Sequence, residues 1–278
     1  MGKLRLRGFP AALSLVLLAG CGSLPSPGER LLQAERLAAD RGWQRQVLSA
    51  GRFQLTVFMP RNLTRGGRLA VYVEGDGFAW ETPTRPSADP TPLDALGLVL
   101  ALTDPGPVAY LARPCQFALG ADPACTQDYW TGRRFSPEVL ESVSQALDML
   151  KVHTGARRLR LVGYSGGATV AALVAAGRAD VDDLVTVAGN LDLSAWSRHH
   201  RLSPLAGSLD PADYRHALAR LPQWHFVGGD DRVVPPELTM DYVAGFPPGS
   251  PAHLVVMPGF DHRCCWQTQW STLLQSLP

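Results

Sequence analysis

Residues 159–167 read Leu-Arg-Leu-Val-Gly-Tyr-Ser-Gly-Gly, and a run of mostly small apolar residues, 168–176, follows at once. The apolar run 159–163 is typical of a buried strand, and the run after Gly167 is typical of a helix. Glycines on both sides of Ser165 remove the Cβ clashes of a tight strand-to-helix turn and expose the serine hydroxyl. The string Gly-x-Ser-x-Gly alone is a weak signal. With a strand before it and a helix after it, we interpret it as a nucleophile site rather than as a structural Gly-Ser turn.

Further short runs of Val, Leu, Tyr and Phe alternate with helical patterns along the chain. The clearest helix begins at Ser136-Pro137-Glu138, an N-cap candidate followed by proline at the first helical position. Strands rich in Val and Leu that alternate with helices predict an α/β fold with a mostly parallel central sheet and helices on both faces. The other predicted strands are 53–59, 69–74, 107–111, 184–188, 224–227 and 253–257.

A serine hydroxyl becomes a good nucleophile only when a base takes its proton, so Ser165 requires a histidine and an acid that orients it. His262 follows the predicted strand 253–257, where a loop can turn its imidazole back toward Ser165. Two aspartates follow the strand 224–227. The pattern Gly-x-x-Asp-x-x-Val-Pro favours Asp231 as the acid, and Asp230 is expected to cap the turn. The sequence therefore predicts a catalytic triad of Ser165, Asp231 and His262, in that chain order.

Over about residues 50–275 the sequence resembles the α/β-hydrolase superfamily of serine hydrolases. The resemblance is carried by the turn at Ser165 and by residues 228–235 and 259–262. The resemblance implies the α/β-hydrolase fold and an esterase-like enzyme that needs no metal and no organic cofactor. It also implies an oxyanion hole built from the backbone amides of Gly166 and Asp76. Amide or peptide hydrolysis and acyl transfer would use the same residues. The alternative is a non-catalytic envelope lipoprotein that keeps the fold as a binding module.

The oxyanion turn departs from the family pattern. Residues 74–77 read Glu-Gly-Asp-Gly, where the family commonly has His-Gly. A charged Asp76 facing the oxyanion would oppose catalysis, so we expect its side chain to turn away, to an arginine such as Arg85 or Arg113. We expect Glu74 to be buried and either protonated or paired.

Aromatic residues near the predicted site are candidates for contact with a small-molecule ester. Phe78, Trp80, Trp130 and Tyr164 could line the substrate pocket, although aromatic side chains in loops also serve local packing. The connection 191–211, with Trp196 and the pair His199 and His200, is expected to form a short cap. It is shorter and more polar than the apolar lid of a lipase, which favours soluble or modest-sized esters.

The first residues resemble an export signal. Residues 1–8 carry three positive charges and no acid, residues 9–18 are mostly apolar, and Leu-Ala-Gly precedes Cys21 as in the lipobox of bacterial lipoproteins. We therefore expect a signal peptide over 1–20, a lipidated Cys21 with a tether over 21–28, and one hydrolase domain over 29–278. The protein would then be anchored by lipid in the bacterial envelope, and in a Gram-negative host it would lie at the outer membrane and face the periplasm. A plain signal peptide with an incidental cysteine is the alternative.

The number of cysteines and the net charge indicate whether disulfides, a metal site or nucleic-acid binding should be expected. In an oxidising compartment, four cysteines besides Cys21 fit disulfides better than a metal site, and we favour a bond between Cys115 and Cys125. Cys264 and Cys265 could bond to each other or remain thiols. The net charge is +1, or −2 without the three cations of residues 1–8, and no run of Lys or Arg is present, so we predict no binding to nucleic acid.

Overall fold

The computed structural model describes Gly2 and residues 24–62, 66–118 and 120–277. The predicted signal peptide and Cys21 lie outside the described residues. The strands are β1 (Trp43–Ala50), β2 (Phe53–Pro60), β3 (Arg68–Val73), β4 (Trp80–Thr82), β5 (Arg85–Pro86), β6 (Val108–Leu111), β7 (Arg158–Tyr164), β8 (Val181–Val187), β9 (Gln223–Gly228) and β10 (Ala252–Met257). The α-helices are α1 (Pro27–Ala39), α2 (Leu96–Ala101), α3 (Pro137–Thr154), α4 (Gly166–Ala176), α5 (Leu193–His199), α6 (Arg215–Leu218), α7 (Pro236–Ala244) and α8 (Trp266–Gln275), with 3₁₀ turns at Gln127–Trp130 and Pro211–Tyr214.

Eight strands form one central sheet in the order β1-β2-β6-β3-β7-β8-β9-β10. The strands from β6 to β10 in this order are parallel, while β2 pairs antiparallel with both β1 and β6. This arrangement confirms the predicted mostly parallel sheet. Because ligands bind outside the carboxyl ends of such strands, the ends of β3, β7, β9 and β10 define where the site lies.

Helices cover both faces of the sheet and bury two separate apolar clusters. One cluster holds residues of α3 and α4, and the other holds residues of α1, α2 and α8, including the fully buried Trp266 and Trp270. Helix α4 is buried along nearly its whole length, since Gly166 to Ala175 are all buried. An almost entirely apolar helix is stable there because it packs under the sheet and against α3.

Helix α1 was not predicted from the sequence, and it includes Pro27 and Gly28, the last two residues of the expected tether. Its start is a capping box: the side chain of Ser26 accepts from the Glu29 amide, and the Glu29 carboxylate accepts from the Ser26 amide. The buried Arg30 donates to the carbonyl of Thr91. The helix is thereby fixed to the segment between β5 and α2.

Both disulfides considered from the sequence are present. Cys115 and Cys125 are bonded, with their Cα atoms 5.5 Å apart. Cys264 and Cys265 are also bonded to each other, which selects one of the two alternatives. No helix within the described ranges is both long and apolar enough to cross a membrane. Residues 24–62, 66–118 and 120–277 also bring together no group of three His, Cys, Asp or Glu side chains that could hold a metal ion.

Candidate active site

Ser165 stands on a sharp turn between β7 and α4. Its backbone has φ 52° and ψ −122°, a conformation that L-residues rarely adopt, and its amide donates to the carbonyl of Val187 at 2.9 Å. Glycine is required at positions 163 and 167 because neighbouring backbone atoms approach them closely. A Cβ atom on Gly163 would lie 2.3 Å from the Cα of Ala168, and one on Gly167 would lie 2.2 Å from the carbonyl oxygen of Val73. The glycines let β7, β3 and α4 pack tightly under the exposed serine.

The structure brings Ser165, His262 and Asp231 together. His262 Nε2 lies 2.9 Å from Ser165 Oγ, and His262 Nδ1 lies 2.8 Å from Asp231 Oδ2. An ionised carboxylate can only accept, so Nδ1 carries the proton of the neutral ring. Nε2 therefore presents a lone pair that accepts from the serine hydroxyl. This is the hydrogen-bond order that nucleophilic catalysis by serine needs.

Asp231, and not Asp230, organises the turn after β9. The Asp231 side chain is fully buried, and its Oδ1 accepts from the amides of Val233 and Val234 at 2.8 and 2.9 Å. The expectation that Asp230 caps this turn is wrong. Asp230 is exposed, and its carboxylate has no hydrogen-bond or ion-pair partner among the residues that the structure describes. One carboxylate thus both closes the turn and orients the histidine.

The loop after β10 holds His262 by its backbone. Asp261 Oδ1 accepts from the amides of Arg263 and Cys264, each at 2.7 Å, and these bonds lower the pKa of the Asp261 carboxyl. The Tyr164 hydroxyl donates to the His262 carbonyl at 3.2 Å, and the two rings lie 5.5 Å apart between centroids. The imidazole position is therefore fixed from both sides of the loop.

The predicted oxyanion amides lie beside the serine and have no protein partner. Within the described part of the chain, neither the amide of Gly166 nor that of Asp76 donates a hydrogen bond. The turn that carries Asp76 is held from below, since Gln116 Nε2 donates to the Gly75 carbonyl at 2.8 Å. Free amides on a rigid turn are the donors that a developing oxyanion requires.

The side chain of Asp76 is turned to two buried arginines. Its Oδ1 lies 3.2 Å from Arg113 Nη1, as expected, and its Oδ2 lies 3.0 Å from Arg134 Nε, a partner that the sequence did not indicate. Arg85, the other candidate, pairs with Glu81 instead. Burial lowers the pKa of Arg113 to about 10, which still leaves it cationic at neutral pH.

Glu74 is buried, as expected, and is bound within the turn. Its carboxylate accepts from the amides of Gly75 and Gly97 and from the Tyr110 hydroxyl, at 2.9, 3.2 and 3.1 Å. Burial raises the pKa of this carboxyl. Glu74 therefore joins β3, β6 and α2 beneath the site.

Ser165 and His262 open into a cleft of ≈ 1760 Å³. Phe78 and Tyr164 line this cleft, whereas Trp80 and Trp130 do not. Trp80 belongs to the β4–β5 ribbon, and Trp130 is a buried core residue whose indole nitrogen donates to the Ser87 carbonyl at 3.2 Å. The lining includes four partly exposed apolar side chains, Phe78, Leu93, Leu96 and Val99, and the polar side chains of His199, His200, Asp230, Arg232 and Glu237.

The connection 191–211 contains the short helix α5, which borders the cleft. Trp196 Nε1 and His200 Nε2 both donate to the carbonyl of Val233, at 2.7 and 2.9 Å. Since Val233 follows Asp231 in the same turn, α5 is attached directly to the segment that carries the acid.

Comparison with known proteins gives the fold a name. No protein-family model matches the sequence, and a comparison with curated proteins finds no similar sequence. Solved structures do match. An esterase from Pyrococcus furiosus superposes with a TM-score of 0.61 at 13% identity, over 85% of this chain and 90% of that one. Est1E from Butyrivibrio proteoclasticus gives 0.56 at 14% identity, over 84% and 96%. An α/β serine hydrolase homologue from Coxiella burnetii gives 0.55 at 18% identity, over 84% and 94%. With its eight-stranded, mostly parallel sheet and the serine turn after β7, the chain has the α/β-hydrolase fold.

Proposed function

We propose that this protein is a serine hydrolase that cleaves carboxylic esters through an acyl-enzyme. The observation that carries the proposal is the continuous chain from Ser165 Oγ to His262 to Asp231, with distances of 2.9 and 2.8 Å, at the floor of an open cleft. No group beyond Asp231 is needed to activate the serine.

The chemistry follows from the positions of these atoms. As Ser165 Oγ attacks the ester carbonyl, His262 Nε2 takes the hydroxyl proton and then gives it to the departing alcohol. Asp231 stabilises the imidazolium that forms between the two transfers. A water molecule then attacks the acyl-enzyme with the same histidine as base, which releases the acid and restores Ser165. The amides of Gly166 and Asp76 are proposed to bind the oxyanion in both halves, which is worth several kcal/mol.

The first test is covalent labelling of the purified protein by a fluorophosphonate, followed by mass mapping of the modified peptide. We expect one adduct, on Ser165, and no adduct in Ser165→Ala or His262→Ala. p-Nitrophenyl esters and the matching anilides then separate ester from amide hydrolysis. A folded wild-type protein that takes up no label would favour the second candidate, a binding module. The acidic residues at the oxyanion turn are the observation that favours this candidate.

We also propose that the chain is exported and anchored by lipid at Cys21. This proposal rests on the sequence of residues 1–21 alone, and the position of α1 is compatible with it, because that helix begins six residues after Cys21. Metabolic labelling with a palmitate analogue should mark the wild-type protein in its host and not Cys21→Ser. Wild-type protein that carries no lipid would contradict the anchor.

A further inference from the structure

The carboxylate of Asp76 lies directly beside the proposed oxyanion hole. A Cβ atom placed on Gly166 would lie 2.0 Å from Asp76 Oδ1, so this oxygen packs against the residue whose amide is one of the two donors. An unpaired negative charge at that position would repel the oxyanion that forms during acyl transfer. A hydrolase with an aspartate at this position therefore needs other groups that offset the charge of the Asp76 carboxylate.

Two arginines face that carboxylate from the side away from the cleft. Arg113 and Arg134 contact one oxygen each, at 3.2 and 3.0 Å, and their side chains are only 4% and 5% exposed, against 26% for Asp76. These three side chains carry two positive charges and one negative charge, and the buried Glu74 of the same turn also acts on Arg113. Because both guanidinium groups are buried, their attraction to the Asp76 carboxylate is screened only weakly by salt.

Both guanidinium groups are fixed by further contacts. Arg113 Nη2 donates to the Arg134 carbonyl, and Arg134 Nη1 donates to the Thr131 carbonyl at 3.3 Å. Each cation also lies over the ring of Phe135, at 4.9 Å for Arg113 and 5.3 Å for Arg134. Rotation of Asp76 toward the oxyanion hole would have to break two ion pairs at once.

We propose that Arg113 and Arg134 are positioning residues for acyl transfer, which hold the Asp76 carboxylate off the oxyanion and offset its charge. This inference rests on the proposed function. It assigns a role in the reaction to two residues that lie 52 and 31 positions before Ser165 and contact none of the triad. The Asp76 amide then serves as a donor while its side chain is neutralised from behind.

The test is a pair of substitutions that act in opposite directions. Arg134→Gln removes one of the two cations and leaves Arg113 alone to hold the Asp76 carboxylate, and we expect kcat for a p-nitrophenyl ester to fall about 100-fold, as when an oxyanion donor is lost, with KM changed less than about threefold. Adding Asp76→Asn removes the repelling charge, and the double variant should regain at least about tenfold in kcat. A purely structural arginine would change Tm and its rescue would appear in Tm, so Tm is measured beside kcat for every variant.

Arg160→Gln is the matched control. Arg160 is also a buried arginine in an ion pair, with its Nε 2.6 Å from Asp183 Oδ1, but it lies five residues before Ser165 on β7 and does not line the cleft. Five strand residues span about 16 Å. We expect this variant to lower Tm with kcat within about twofold of the wild type.

Arg134→Lys keeps the charge and covers the case in which Arg134→Gln does not fold. We expect it to retain kcat within about fivefold, since the cation and not the fork geometry is the requirement. The proposal is overturned if Arg134→Lys loses as much kcat as Arg134→Gln, if Asp76→Asn adds to the loss, or if Arg134→Gln affects kcat no more than Arg160→Gln. Fluorophosphonate labelling of the wild type is read first, so failure of the proposed function is recognised separately.

Discussion

Replacement of Asp231 by asparagine should remove almost all activity while the protein stays folded. The carboxylate accepts from His262 Nδ1 at 2.8 Å, which keeps the proton on that nitrogen and leaves Nε2 free to accept from Ser165. An amide nitrogen at the same place donates, and so favours the tautomer with its proton on Nε2. The base then has no lone pair for the serine. We expect kcat to fall on the order of 10⁴-fold, which corresponds to about 5 kcal/mol of transition-state stabilisation.

The effect of this substitution on folding should be much smaller. Asp231 Oδ1 accepts from the amides of Val233 and Val234, and the oxygen of an asparagine can still accept both. A hydrogen bond to a charged acceptor is worth about 1 kcal/mol more than one to a neutral acceptor, so the two bonds together should cost about 2 kcal/mol. A domain stable by about 5–15 kcal/mol remains folded after such a loss.

The neighbouring carboxylate provides the control. Asp230→Asn changes an exposed side chain that has no partner in the described ranges, and kcat should stay within about threefold of the wild type. Initial rates with p-nitrophenyl butyrate, measured for both variants beside a circular-dichroism melt, make the comparison. A greater loss in Asp230→Asn, or retention of a tenth of the wild-type rate in folded Asp231→Asn, would refute the assignment.

Three further predictions concern packing, pH and substrate. Gly167→Ala would place a methyl group 2.2 Å from a backbone oxygen, so it should lower the free energy of unfolding by about 3 kcal/mol in a denaturant titration. Gly28 has open space around it, and Gly28→Ala should not lower the free energy of unfolding. Burial lowers the pKa of His225 to about 3, so below about pH 6.5 the unfolded chain binds a proton that the folded chain does not. Stability should fall by about 1.4 kcal/mol per pH unit on acidification through that window, and His225→Gln should remove this contribution from urea titrations at pH 4–7. Leu96 is one of the apolar residues that line the cleft, and Leu96→Ser should flatten the rise of kcat/KM with alkyl length of the ester, which is about fourfold per methylene in the wild type. An unchanged rise would contradict Leu96 as part of the site that binds the alkyl chain.

Those features that depend on local chemistry could be predicted from the sequence. The turn at Ser165 needs glycines because strand and helix approach closely there, and this requirement is visible as a string of residues. Asp231 and His262 each follow a strand of a parallel sheet, whose carboxyl ends lie at one edge, so their meeting with Ser165 could be expected. The meeting itself is a matter of hydrogen-bond geometry, which the structure supplies.

The features that depend on distant packing could not be predicted. Arg134 meets Asp76 across 58 positions, and nothing near either residue distinguishes Arg134 from the other arginines. Trp130 resembles a pocket residue only until its burial is known. Helix α1 is a different case, because the Ser26 and Glu29 capping box is a local signal that could have indicated it.

The attachment of α5 to the turn after β9 has a consequence for kinetics. Trp196 and His200 are both hydrogen bonded to the carbonyl of Val233, which lies in the turn that carries Asp231. Helix α5 therefore cannot move away from the cleft without disturbing the segment that orients His262. The cleft is already open in this structure, so we expect substrate to bind without a preceding isomerisation. Progress curves should be linear from the first turnover, with no lag. Saturation should be hyperbolic, without a jump in rate when a sparingly soluble ester begins to form droplets.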